Sequence, residues 1–442
     1  MTIKNIILIL FFGMYIVLPE YFAIEFSGNL PLLTASRILL LIAIVYIICN
    51  QKGVITYKIR NRKLQRALII YFVFQLLSIV FGSTSTGTII NGLFKLVFEK
   101  IILILVIINL LRNENDIQDA IRYYLCGMAF AIGIGIIQAI TGFNIASLLN
   151  TVGRTMLDAN YERNDIIRAT SSFGHPVYFA AACVYCIPFC SYFYNITEKK
   201  RYLTLELLAV IGVFASGSRG SILLLIAYFL FKFFKGKKLT IRKSHIFTAV
   251  LVFVGLSMVL SVQSIKLYLY STIQNVTSLF SNVDTESSFQ SGRLWQLSAI
   301  SYILENNPMF GAGIDAVNQG IHYVLRGKSV VLYTMDIGFV GWVVNTGIIG
   351  TVGAIYLMYT LLHESFSSMK KSTSTSLIGV FFIFFMLYYL SLLSIVDIER
   401  IQWIFIGIYI AFTNFKNLRR EDSTNQTESG FNEKKETQAV EI

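Results

Sequence analysis

Charge is what this sequence has least of. Asp, Glu, Lys and Arg make up only 14% of its 442 residues against 55% hydrophobic, too little to cover the surface of a soluble domain and the composition of an integral membrane protein. Cysteine is also sparse: five residues, at 49, 126, 183, 186 and 190. The last three read as C-x2-C-x3-C, but they lie in the apolar stretch PVYFAAACVYCIPFCSYF, with no acid or His at ligand spacing. A metal site and a disulfide framework are therefore both set aside, and small soft side chains filling a helix face are expected. No nucleotide motif is present. No fixed-period repeat and no matched pair of Gly/Pro-broken segments in the two halves supports a transporter of inverted repeats. No small-residue cleavage site follows the first apolar core, which reads as a retained helix. The basic excess, 37 Lys and Arg against 25 Asp and Glu, falls in short connections between apolar runs. There it marks the cytoplasmic side of a membrane, and nucleic acid is excluded as a partner.

What is present is a series of apolar runs of about 20 residues, the length that crosses a bilayer as a helix. Spans are expected at about 6–18, 32–49, 67–82, 93–111, 120–140, from 176, at 202–215, to 234, at 246–263 and from 337, with two more around DIER. Lys52, Lys58, Arg60, Arg62, Lys63 and Arg66, with no acid among them, place that connection inside, as do Lys235, Lys237, Lys238, Arg242 and Lys243. The resulting fold class is an all-α polytopic membrane protein of about twelve transmembrane helices with both termini cytoplasmic. One membrane domain is expected over 1–420, with a large external loop over 264–336 between spans nine and ten, and a disordered polar tail over 421–442. Lys95 and Glu99 in span four stand at i, i+4 spacing, fit either to pair or to meet a substrate. Arg37, near the outer end of span two, has no assigned role.

This topology brings separated residues to the outer side. Arg168 closes the third outer loop, Arg219 sits at the mouth of the tight SGSRGS turn, and Arg293 opens GRLWQLSAISYIL. An Arg there either snorkels to headgroups or caps a helix. Arg219 and Arg293, however, are each flanked by Gly or Ser, which lets backbone approach a ligand closely. A planar fork of donors suits a diphosphate better than a neutral sugar. Because no ATP is available outside, the implied substrate is already activated. Tyr and Trp of the long loop, Trp295, Tyr302 and Tyr323 among them, either stack on sugars or pack the loop.

The order RATSSFGHP, SGSRG opening a span, SGRLWQL, FGAGIDA, then D-x-G-x-x-G with GIIG at 347–350 resembles the O-antigen ligase and Wzy-type polymerase superfamily over roughly residues 120–360. The resemblance implies a GT-C-like membrane-embedded glycosyltransferase that uses an undecaprenyl diphosphate-linked oligosaccharide as donor, without metal or nucleotide sugar. Arg219 and Arg293, joined by Arg168, would hold the diphosphate. Where the ligases carry a His before Gly-x-x-Gly, this sequence has Asp336. That carboxylate and His322 are the candidate bases for an acceptor hydroxyl. Asp336 could instead N-cap span ten, and His322 could pack the loop.

The first reading is a polysaccharide polymerase for O-antigen, capsule or exopolysaccharide at the outer face of the bacterial cytoplasmic membrane, in contact with membrane lipids and a chain-length regulator. An O-antigen ligase transferring glycan to lipid A core or another acceptor is the alternative. A flippase or exporter, the alternative of another class, would line its spans with charge throughout. This chain gathers polar residues in outer loops instead.

Overall fold

The computed structural model describes residues 2–25, 31–50, 59–82, 86–152, 161–163, 166–235, 298–313, 321–325, 328–332, 337–370, 377–393 and 398–416. The protein is mostly helical. Its helices are α1 (Ile3–Met14), α2 (Ala35–Asn50), α3 (Arg62–Gly82), α4 (Thr86–Phe94), α5 (Leu103–Leu110), α6 (Glu114–Thr141), α7 (Pro176–Thr197), α8 (Lys200–Ser216) and α9 (Arg219–Lys235). They continue with α10 (Ser298–Asn306), α11 (Gly338–Lys370), α12 (Leu377–Ser391) and α13, residues 399–416. Three two-stranded antiparallel pairs complete it: β1 (Ala23–Ile24) with β2 (Leu33–Thr34), β3 (Glu162–Arg163) with β4 (Ile166–Ile167), and β5 (Ile321–Leu325) with β6 (Lys328–Leu332).

Among the described residues four helices are long and apolar enough to cross a membrane: α3, α6, α7 and α11, the last over Gly338–Met369. Helices stand at the other expected spans as well, shorter ones included, except at 246–263, which lies outside the described residues together with the tail 421–442. One helix differs from expectation. The Ser/Thr/Gly stretch after α3 gives way to helix already at Thr86, because Thr88 is buried and Gly92 packs its face on Ile79. The chain then runs without a break through a π-helical turn, Lys95–Ile102, into α5.

Small residues and paired polar groups set the packing. A Cβ on Gly127 of α6 would lie 1.9 Å from the Gly13 carbonyl oxygen of α1, so these two backbones touch, the close approach that glycine permits in membrane helices. Lys4 Nζ and Asp116 Oδ2, 2.6 Å apart, tie the same helices at their starts. α3 and α11 run antiparallel. Asn61 donates to Glu364 Oε2 (2.9 Å) at one end, and Ser78 Oγ donates to the Thr346 carbonyl (2.8 Å) towards the other. Among the described helices α13 is the most enclosed, with residues 401–412 buried. Trp403 lies on Tyr71 and Phe72, and Phe405 stacks on Phe189 at 4.7 Å. The three cysteines of α7 are buried in this core, and Cys183 Sγ packs where a Cβ on Gly212 of α8 would meet it at 2.9 Å.

Candidate functional site

At one end of the bundle α1, α3, α6, α8 and α12 finish and α2, α7, α9, α11 and α13 begin. The α8–α9 turn shows why the sequence SGSRG folds tightly. Gly217 takes φ 62° as the left-handed residue that ends α8, where a side chain would be strained. Ser218 precedes α9; its hydroxyl meets that of Ser221 at 3.1 Å and its carbonyl accepts from Ile222 N at 3.0 Å. Arg219 is the first residue of a 17-residue helix.

Arg168 is brought to the same turn. Its Nε donates to the Ser216 carbonyl at 2.8 Å, and its side chain lies 3.5 Å from where a Gly217 Cβ would be. The Ala169 N–H donates to the Ala215 carbonyl (3.0 Å), holding the loop strand against the end of α8. Arg168 N donates to the Tyr161 carbonyl. Partial burial raises the Tyr161 phenol above its ordinary value, opposed by the Arg168 charge. One of the three guanidinium groups named from the sequence, that of Arg168, is therefore anchored at the turn that leads into Arg219. At the loop's end His175 is the N-cap of α7, its Nδ1 accepting from Val177 N at 3.2 Å, with Pro176 in the first turn.

Arg293 and Asp336 lie outside the described residues. His322 is in β5, paired in register with Val331 of β6. The elements flanking all three come together in a small core of their own. Ala299 and Ile303 of α10, Ile321 of β5, and Val340 and Val344 of α11 are buried in one cluster, with Ile337 packed against it. Asp336 immediately precedes Ile337, and His322 immediately follows Ile321.

That small core is clasped to the bundle by the two glycine motifs. α11 breaks at Gly347 (φ 61°, ψ −164°), and the segment Pro308–Gly313 lies in the break. Ala312 N donates to Val344 O (2.8 Å) and Gly313 N to Asn345 O (3.1 Å). In return Ile348 N donates to Pro308 O (2.9 Å) and Ile349 N to Met309 O (3.1 Å). Backbone groups freed by a kink must find partners in a bundle core; here Pro308, Met309, Ala312 and Gly313 supply four. A Cβ on Gly82, at the end of α3, would meet Phe310 O at 2.6 Å.

A set of ion pairs at this end was not legible as pairs. Arg37 Nη2 meets Glu99 Oε1 at 2.7 Å, Lys100 Nζ meets Glu399 Oε1 at 2.9 Å, and Arg400 Nη2 meets Glu20 Oε1 at 2.5 Å. Glu99, expected beside Lys95, thus reaches across to α2, and Arg37 acquires its role. The π-helical winding over Lys95–Ile102 alters which faces its side chains occupy, as an extra residue in a helical turn does. Lys100 also donates to Tyr71 OH at 3.1 Å. Arg400 further donates to the Leu18 carbonyl at 3.1 Å, so α13 starts level with the end of α1. The available signal was the demand each charge in an apolar run makes for a partner.

No curated protein matches the chain. Residues 205–355 match the family model described as O-antigen ligase, a segment that begins within α8, contains the SGSRG turn and the clasp, and ends beyond the kink of α11. That match is consistent with the O-antigen ligase and Wzy-type polymerase superfamily.

Proposed function

We propose that the protein is a polysaccharide polymerase of the bacterial inner membrane, built on about twelve spans with both termini cytoplasmic and its site on the external face. It joins undecaprenyl diphosphate-linked repeat units. The observation that carries this reading is Arg168 anchored on the Ser216–Gly217 turn, just before Arg219 at the start of α9; the turn and Arg219, though not Arg168, fall inside the family match. A diphosphate there meets a guanidinium fork together with the amides of a helix N-terminus. Arg293 adds a third cation from the long loop.

In the reaction the acceptor hydroxyl oxygen attacks the anomeric carbon in line. The bond from that carbon to the diphosphate oxygen breaks, and undecaprenyl diphosphate departs with the electron pair. Asp336 or His322 takes the hydroxyl proton. The arginines meet negative charge as it develops on the leaving oxygen, and removing one such donor costs about 100- to 1,000-fold in rate. Membrane lipids surround the carrier chain, and a chain-length regulator is the expected protein partner. The family description favours a second reading, ligase, which shares the donor chemistry and differs in its acceptor.

The test deletes the gene in its host and separates the surface polysaccharide by size, then complements with Arg219→Ala and Arg293→Ala at matched expression. Under the polymerase reading single repeat units still reach the surface anchor while long chains vanish, and neither variant restores them. Long chains accumulating on the carrier lipid would establish the ligase instead. An unchanged profile would sink both.

A further inference from the structure

We propose that Gln138 is a positioning residue for the diphosphate-binding arginines. This rests on the reading of Arg168 and Arg219 given above. Gln138 lies near the end of α6 and is only 4% exposed. Its carboxamide is spent entirely on two residues of the loop that carries Arg168. Oε1 accepts from Thr170 N (2.9 Å), Ser171 N (2.9 Å) and the Thr170 hydroxyl (3.2 Å), and Nε2 donates to Thr170 Oγ1 at 3.1 Å. Asn144 Nδ2 reinforces the same turn, donating to Thr170 Oγ1 (3.0 Å) and to the Ser171 carbonyl (2.9 Å).

The turn so held is strained. Ser171 has φ 51°, a left-handed conformation that a non-glycine residue keeps only when its surroundings over-determine it. It is fully buried, and its hydroxyl donates to the Ala131 carbonyl at 2.6 Å. Among the described residues the other non-glycine with positive φ, Glu198, is the C-cap of α7, a common place for that geometry. Ser171 caps no long helix. What its conformation does is turn the chain so that Ala169 meets Ala215 and Arg168 meets Ser216. α6 thereby sets where the guanidinium stands relative to the first turn of α9. An arginine displaced by about 1 Å loses much of its effect on a transition state, on the order of a hundredfold in unfavourable cases.

The experiment measures transfer rate with purified protein and lipid-linked glycan extracted from the gene-deleted host. Gln138→Leu removes the acceptor, and the expected loss is about ten- to a hundredfold in kcat with little change in KM. Gln138→Glu keeps an acceptor of the same shape and is expected to stay within about threefold of the wild-type rate. The decisive comparison is Gln138→Leu combined with Arg168→Ala. If Gln138 acts through Arg168, the double variant is no slower than Arg168→Ala alone, because coupled residues are not additive. Two losses that multiply overturn the proposal, as does a Gln138→Leu protein of wild-type rate. Should Gln138→Leu fail to accumulate in the membrane, Asn144→Ala, which removes two of the supporting bonds, takes its place in the same cycle. Wild-type rates in both Arg168→Ala and Arg219→Ala would instead overturn the diphosphate reading, and the positioning role with it. A slow Arg168→Ala beside a fast Gln138→Leu overturns the positioning role alone.

Discussion

Gly347→Ala isolates the clasp between the long loop and the bundle. The φ of 61° with ψ of −164° at Gly347 belongs to a region open essentially to glycine alone, so an alanine there costs about 1–3 kcal/mol in backbone strain. The new Cβ would also lie 2.5 Å from Gly311 N and 2.6 Å from the Met309 carbonyl oxygen, distances no carbon keeps against backbone. The Pro308–Gly313 segment must move off. Doing so gives up hydrogen bonds between it and residues 344–349, each contributing about 1 kcal/mol. A total near 3–5 kcal/mol shifts the clasped state against the open one by more than about a hundredfold, at 1.4 kcal/mol per factor of ten. Melting temperature in detergent and transfer rate with extracted lipid-linked glycan should both fall. Gly133→Ala is the control, since nothing lies within 4 Å of the added Cβ. A Gly347→Ala protein indistinguishable from Gly133→Ala in both assays would refute the clasp.

Gly127→Ala should lower the melting temperature sharply, because its Cβ would sit 1.9 Å from the Gly13 carbonyl oxygen and force α1 off α6; an unchanged melting curve contradicts that packing. Lys100 and Glu399 make an asymmetric pair, with side chains 3% and 44% exposed. Glu399→Gln, which strands a buried ammonium, should destabilise by about 3–5 kcal/mol. Lys100→Met should cost less, and the double variant should recover most of the Glu399→Gln loss in a denaturation series. Equal effects of the two single variants would contradict the burial. His175→Asn keeps a side-chain acceptor for Val177 N and should retain polysaccharide chain length in the complemented host. Loss of long chains at normal protein level would give His175 a part in the chemistry.

The helices were legible because apolar runs of spanning length leave few alternatives. The start of α4 was less so: Thr86 and Gly87 read as loop by composition, and only packing of Gly92 on Ile79 makes that stretch helical. Of the site, the sequence singled out Arg168 and the SGSRG turn separately, and the structure puts the Arg168 side chain on the Ser216 carbonyl of that turn. The ion pairs did not follow. Lys100 and Glu399 are 299 residues apart, and no local rule joins them. Glu99 had a nearer partner at helical spacing that the π-helical turn and Arg37 override. Gln138 escaped notice because an uncharged amide in an apolar span carries no pattern of its own. Its meaning lies wholly in which loop it grips.

The enclosure of α13 has a consequence for how the protein is made. Among the described helices α13 is the most enclosed and follows the others in the chain, so the bundle cannot close around its centre until α13 has been made. Until then Tyr71, Phe189 and Lys100 lack the Trp403, Phe405 and Glu399 they will hold. A chain released early would be inserted yet hollow, with an ammonium group facing an unfilled channel in the lipid.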